Sequence, residues 1–125
     1  MPGKTILVVD DETDLREAIA EALSDAEFSV IQAANGAEAV KTAIAEKPDL
    51  ILMDVMMPIM DGHQALRQIR ADAWGKTAKI IMLTALDDAM NVAKGVEGGS
   101  NDYIIKATAT LDEIIVKVKQ QIVGY

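Results

Sequence analysis

The chain has 125 residues, half of them hydrophobic and none of them cysteine. That length buries one core without disulfides or a structural metal, and the lack of cysteine leaves no disulfide framework and no thiolate metal site. With 20 acidic residues against 12 Lys plus Arg, the net charge of −8 repels phosphate backbones and disfavours direct nucleic-acid binding. The first apolar stretch, residues 6–9, stops at Asp10 and is too short for a signal peptide or a membrane span, so a cytoplasmic protein without membrane insertion is expected.

In chain order, short β-branched runs alternate with longer segments whose apolar residues recur at helical spacing. The first strand is expected over residues 5–10, followed by a helix with the stripe Leu15, Ile19, Ala22, Leu23 and Ala26. A second strand over 28–33 precedes a helix marked by Val40, Ala43 and Ile44, and a third over 50–54 precedes one marked by Leu66 and Ile69. The fourth strand, 79–84, leads to a weakly patterned helix over 89–96 that stops at Gly98 and Gly99. The fifth, 103–106, leads to a last helix with Leu111, Ile114, Ile115, Val118 and Ile122 on one face. Four of the five strands are nearly continuous apolar runs, the pattern of a parallel sheet covered by helices on both faces. Repeats, low-complexity tracts and linkers are missing, and a single domain over residues 1–125 is expected.

In such sheets the chemistry collects beyond the carboxyl ends of the strands. On this reading Asp10 and Asp11 end the first strand, Asp54 the third, Thr84 the fourth and Lys106 the fifth, so all five polar groups converge on one edge. Three carboxylates brought together need a cation, and oxygen donors suit hard Mg²⁺, with Mn²⁺ as a substitute, better than zinc. Lys106 sets a positive charge opposite. Phosphoryl transfer asks for this arrangement, because its transition state is stabilised mainly by positioning and charge, and Asp54 is the expected nucleophile.

The segments Ile-Leu-Val-Val-Asp10-Asp11, Met53-Asp54-Val-Met-Met-Pro58-Ile-Met-Asp61-Gly62, Thr84-Ala85 and Asp102-Tyr103-Ile-Ile-Lys106 together resemble the receiver domain of two-component response regulators over nearly the whole chain. The resemblance implies a flavodoxin-like (βα)5 three-layer sandwich with strand order 2-1-3-4-5. It implies that Asp11, Asp54 and the backbone carbonyl of Met56 ligate Mg²⁺, with Asp10 acting through water or as a further ligand, and that Lys106 contacts the phosphoryl group. It implies further that Thr84 donates its hydroxyl to a phosphoryl oxygen and that Tyr103 turns inward as its switch partner. The phosphoryl donor would be a sensor histidine kinase or a histidine phosphotransfer protein. The signal would leave through the face of the fourth helix, fifth strand and last helix to an effector protein, from a monomer or a phosphorylation-dependent homodimer. Such a domain catalyses its own phosphorylation and dephosphorylation without turning over an external small molecule. Two departures stand out. Ala107 replaces the family's usual cis proline after Lys106, so a trans Lys106–Ala107 peptide is expected. The run Gly98-Gly99-Ser100-Asn101 is looser than the usual Gly-Ala-Asp-Asp and suggests a frayed fourth helix.

Plainer readings compete residue by residue. Asp10-Asp11 can cap a helix, Asp54 can begin a loop, Thr84 can be a cap or a β-branched strand residue, and Tyr103 can be half-buried packing. His63, the only histidine, follows Asp61-Gly62 at a helix start and is expected in solvent. Met53, Met56, Met57 and Met60 are expected to fill gaps near Asp54, and Lys117 and Lys119 to lie on a solvated helix face. As whole-chain alternatives, a metabolite phosphohydrolase needs an acid two residues after its nucleophile, where Met56 stands. A flavoprotein needs a phosphate loop and aromatics, which make up 3% here. The chain read as the receiver piece of a longer regulator stays open.

Overall fold

The computed structural model describes residues 3–84 and 99–123. Within them the elements run β1 (Thr5–Val9), α1 (Thr13–Asp25), β2 (Ser29–Ala33), α2 (Gly36–Glu46), β3 (Leu50–Asp54) and α3 (Gly62–Ala71). A 3₁₀ turn (Gly75–Thr77), β4 (Ile80–Thr84), β5 (Asp102–Ile105) and the C-terminal helix α4 (Leu111–Val123) complete them. The expected helix over 89–96, together with Ala85 of the Thr-Ala pair, lies outside the described residues.

The five strands form one parallel sheet in the order β2-β1-β3-β4-β5, which is the flavodoxin-like order. Side chains alternate across a strand, and the continuous apolar runs accordingly feed two cores. Leu7, Val9, Ile51, Met53, Ile80 and Met82 pack against Ala39 and Ala43 of α2 and Ala65, Leu66 and Ile69 of α3. Ile6, Val8, Leu50, Leu52, Ile81 and Leu83 pack on the other face against Ile19 and Leu23 of α1 and Ile114 and Val118 of α4. β1, β3 and β4 are central and buried on both faces, while β2 and β5 are edges with exposed positions such as Ser29, Gln32 and Tyr103.

Several local expectations are corrected. In α2 the buried residues are Gly36, Ala39 and Ala43, and Ile44 is exposed, because the helix turns the i, i+3, i+7 row inward and leaves Ile44 one position past it. Leu111, in the first turn of α4, is exposed, the helix turning Ile114 and Val118 to the core instead. Asp10 and Lys106 fall one residue beyond the strands assigned to them, and Asp102 joins β5. The ladder nevertheless continues through Asp10, whose N–H donates to the Ala33 carbonyl at 3.2 Å, and through Lys106, whose N–H donates to the Thr84 carbonyl at 2.6 Å. The Lys106–Ala107 peptide is trans. No helix among the described residues is long and apolar enough to cross a membrane.

Candidate functional site

Sheet register decides what meets at the carboxyl edge. Val9 pairs with Met53 and with Ala33, Asp54 pairs with Leu83, and Thr84 pairs with Ile105, so β1, β3, β4 and β5 all end at one level. Asp10 follows Ile6 and Val8 at strand period, and Asp54 follows Leu50 and Leu52, the same core-facing row. Their carboxyl groups therefore emerge on the same side of the sheet.

Asp10, Asp11 and Asp54 each present a carboxylate oxygen within 4.8 Å of the others, with Asp10 and Asp54 buried and Asp11 exposed. Lys106 Nζ reaches from just past β5 to Asp10 Oδ2 at 3.0 Å and to Asp54 Oδ2 at 3.3 Å. Asp10 is fixed from its other side: Oδ1 accepts from the Glu12 N–H at 2.9 Å, and Arg16 Nη1 donates to its backbone carbonyl at 2.8 Å. Thr84 is 1% exposed and ends β4 beside this cluster. Tyr103 lies on edge strand β5 and is exposed, and Met56 is exposed on the loop after β3.

Electrostatics follow from burial. The Asp54 carboxyl is pushed up to about 6, chiefly by removal from water and then by the neighbouring charge of Asp10, with a smaller push from Asp11 and with Lys106 offsetting part of the rise. Lys106 is itself pulled down by burial, but its pairing with Asp10 and Asp54 outweighs this and leaves the ammonium above its ordinary value. Three acids share one base here. The surplus of negative charge and the all-oxygen donor set fit a hard divalent cation such as Mg²⁺, and the exposed edge at Asp11 leaves access for it.

The loop from β3 to α3 is built tightly against this edge. The Val55 N–H donates to the Leu83 carbonyl at 3.0 Å, and the Gly62 N–H returns to the Val55 carbonyl at 2.8 Å. A side chain at Gly62 would collide with the Asp54 carbonyl and the Val55 Cα, so only glycine lets α3 start here. Asp61 caps α3 through the Gln64 N–H at 2.9 Å while Gln64 returns a bond to the Asp61 N–H at 3.1 Å, a full capping box. Between Pro58 and Met60 the chain makes a γ-turn, closed at 2.8 Å, with Ile59 at φ 71° in its centre.

Some expectations fail here. His63 is buried, 7% exposed, with neither ring nitrogen hydrogen-bonded, because Gly62 presses the first turn of α3 onto β3 and encloses the next residue. Met53, Met57 and Met60 do pack in the core, but Met56 stands 68% exposed. Lys117 is half-buried and paired with Asp102 Oδ2 at 3.2 Å rather than simply solvated. The sequence reading also missed Glu12, whose Oε1 lies 3.4 Å from Lys106 Nζ. Its only linear signal was its place directly after Asp10-Asp11. It missed Arg70 as well, whose guanidinium donates to the carbonyls of Gly75, Ala78 and Gly99 and to Asn101 Oδ1.

Comparison with known proteins agrees with this geometry. The family model for the response regulator receiver domain matches residues 6–119. The phosphate regulon transcriptional regulatory protein PhoB of Pseudomonas aeruginosa is 40% identical over 119 residues, covering 95% of this chain and 52% of that protein. The transcriptional regulatory protein ResD of Bacillus subtilis is 40% identical over 114 residues, covering 91% and 46%. The chain thus spans about half the length of these curated relatives. Among solved structures, a putative response regulator from Chloroflexus aurantiacus superposes with a TM-score of 0.91 at 32% identity, covering 98% of this chain and 99% of that one. The chemotaxis protein CheY4 of Vibrio cholerae superposes with a TM-score of 0.88 at 26% identity, covering 94% and 97%. With its sheet order, its acidic edge and these matches in agreement, the chain belongs to the response regulator receiver domain family of two-component systems.

Proposed function

We propose that this receiver, as one domain over residues 1–125, is a phosphorylation-operated switch in which Asp54 takes a phosphoryl group from a phosphohistidine on a sensor kinase or phosphotransfer protein. The observation that carries the reading is the meeting of Asp10, Asp54 and Lys106 at 3.0 and 3.3 Å at the carboxyl edge of a parallel sheet. Asp10, Asp11, Asp54 and the Met56 carbonyl would hold Mg²⁺. When bound, that ion neutralises the carboxylate surplus and the charge that develops on the phosphoryl oxygens.

The chain's own residues do the rest. Asp54 presents its carboxylate oxygen in line with the donor's phosphorus–nitrogen bond. As the oxygen–phosphorus bond forms, that bond breaks and its electron pair stays on the donor imidazole. Lys106 gives a charged hydrogen bond to the transferred group, and Thr84 offers its hydroxyl to another phosphoryl oxygen. Pulling Thr84 toward Asp54 frees room for Tyr103 to turn in from the β5 edge, and the surface of β5 and α4 changes with it. An effector protein of the same cytoplasm would read that change, on a monomer or a phosphorylation-dependent homodimer.

The test is uptake of a phosphoryl mimic. With Mg²⁺, acetyl phosphate is expected to add one phosphoryl mass to wild type, and beryllofluoride to shift its NMR spectrum, while Asp54→Asn abolishes both. An unmodified wild type under these conditions, and after mixing with candidate kinases, sinks the proposal. A second reading, the receiver part of a longer regulator with a separate output domain, is favoured by the 52% and 46% coverage of the two transcriptional relatives.

A further inference from the structure

Lys106 has three ammonium hydrogens and, among the described residues, three carboxylate neighbours: Asp10 at 3.0 Å, Asp54 at 3.3 Å and Glu12 at 3.4 Å. The three are not equivalent. Asp10 is fully buried and tied to the Glu12 N–H, and Asp54 is 3% exposed. The Glu12 side chain is 66% exposed, and only its backbone is anchored, by its N–H to Asp10 Oδ1 and its carbonyl to the Arg16 N–H at 2.9 Å. Glu12 stands at the N-cap of α1, yet it makes no side-chain bond to the helix, because the carboxylate is turned across to Lys106.

We propose that Glu12 is a positioning residue, an exchangeable third partner that holds Lys106 over the acidic edge and yields its place to the incoming phosphoryl oxygens. The inference rests on the phosphoacceptor reading above. An incoming phosphoryl group needs one of the three lysine hydrogens. Releasing Asp10 would strand a buried anion, whereas Glu12 swings into water at little expense, since an exposed ion pair is weak. The same contact opposes the phosphoryl group until it is displaced, because Glu12 both occupies a donor direction and adds a fourth negative charge beside Asp10, Asp11 and Asp54.

Three proteins test this: wild type, Glu12→Gln, which keeps the shape and removes the charge, and Glu12→Asp, which keeps the charge and ends one methylene short of Lys106. At saturating Mg²⁺, both variants are expected to bind beryllofluoride, and to react with acetyl phosphate, roughly two- to fivefold better than wild type. The gain is expected to shrink toward unity as KCl rises from about 0.1 to about 1 M, since the contact is exposed and screened. In the Mg²⁺-free proteins the Lys106 side-chain NMR signals are expected to move in both variants, a change that a merely structural role for Glu12 would not produce. Unchanged uptake in both variants, or an aspartate variant that tracks wild type while glutamine gains, overturns the direct pairing. If wild type takes up neither probe, the phosphoacceptor reading fails; if wild type does and the variants do not differ, the Glu12 role alone fails.

Discussion

Asp54 carries a cost that its own fold imposes. The folded protein holds this proton up to about pH 6, whereas the unfolded chain releases it near the ordinary 3.8. Between those values the folded state binds the extra proton, so stability falls as pH rises through the window, by up to about 3 kcal/mol for this group. Urea unfolding in EDTA is expected to show Asp54→Asn gaining on wild type from pH 4 to pH 7, and a constant difference across that range counts against the assignment. His63 is a second local cost, a buried imidazole with both nitrogens unpaired. Replacing it with Leu removes the unpaired polar atoms at similar volume and is expected to raise the unfolding free energy by about 1 kcal/mol. The two residues differ in how far they could be read from the chain. Asp54 ends a run, Leu-Ile-Leu-Met, that can only be a buried strand, so its place was legible. His63 sits among polar neighbours, and its burial depends on how closely Gly62 lets α3 approach β3, which no local pattern encodes.

Among the elements, the β3–α3 connection concentrates the most opposing forces. Ile59, β-branched, occupies the centre of a γ-turn at φ 71° and is 84% exposed, so no packing compensates the strain. Ile59→Gly is expected to raise the unfolding free energy by about 1 kcal/mol, the released strain exceeding the added chain entropy. One residue past Met60, Asp61 caps α3 with a complete box, and Asp61→Ala is expected to lower stability by about 1 kcal/mol in the same urea assay. The cap is written in the sequence as Asp61 and Gln64 three residues apart. The strands were legible almost to the residue, because short apolar runs bounded by polar residues leave little choice. Helix phase was less so: in α2, Ala39 and Ala43 are small and Ile44 is large, and composition favours the larger side chain as the buried one. The tertiary placement of α2 sets Ala39 and Ala43 into the core, and Ile44, one position past that row, is turned outward.

The whole molecule is an acidic body, net −8, with a cluster of three carboxylates at one edge of the sheet. A divalent ion that binds there and not to the unfolded chain stabilises the fold by mass action, about 2.7 kcal/mol at a hundred times its Kd. Calorimetry is expected to show the wild-type Tm rising with Mg²⁺ and that of Asp54→Asn rising far less, and equal responses would place the ion elsewhere. By itself the sequence determined the alternation of strand and helix and the identities of the carboxylates and the lysine, since each follows from hydrophobic period or from a short motif; it read four strands as buried on both faces, where edge positions leave both β2 and β5 partly exposed and only β1, β3 and β4 buried. Tertiary structure alone decided that Glu12 shares Lys106 with Asp10 and Asp54, that Arg70 binds three carbonyls, and that His63 is enclosed. Several of these contacts join residues far apart in the chain, 94 positions for Glu12 and Lys106 and 29 for Arg70 and Gly99. Their existence depends on sheet register and helix approach, distances of a few ångströms that the order of residues along a chain does not express.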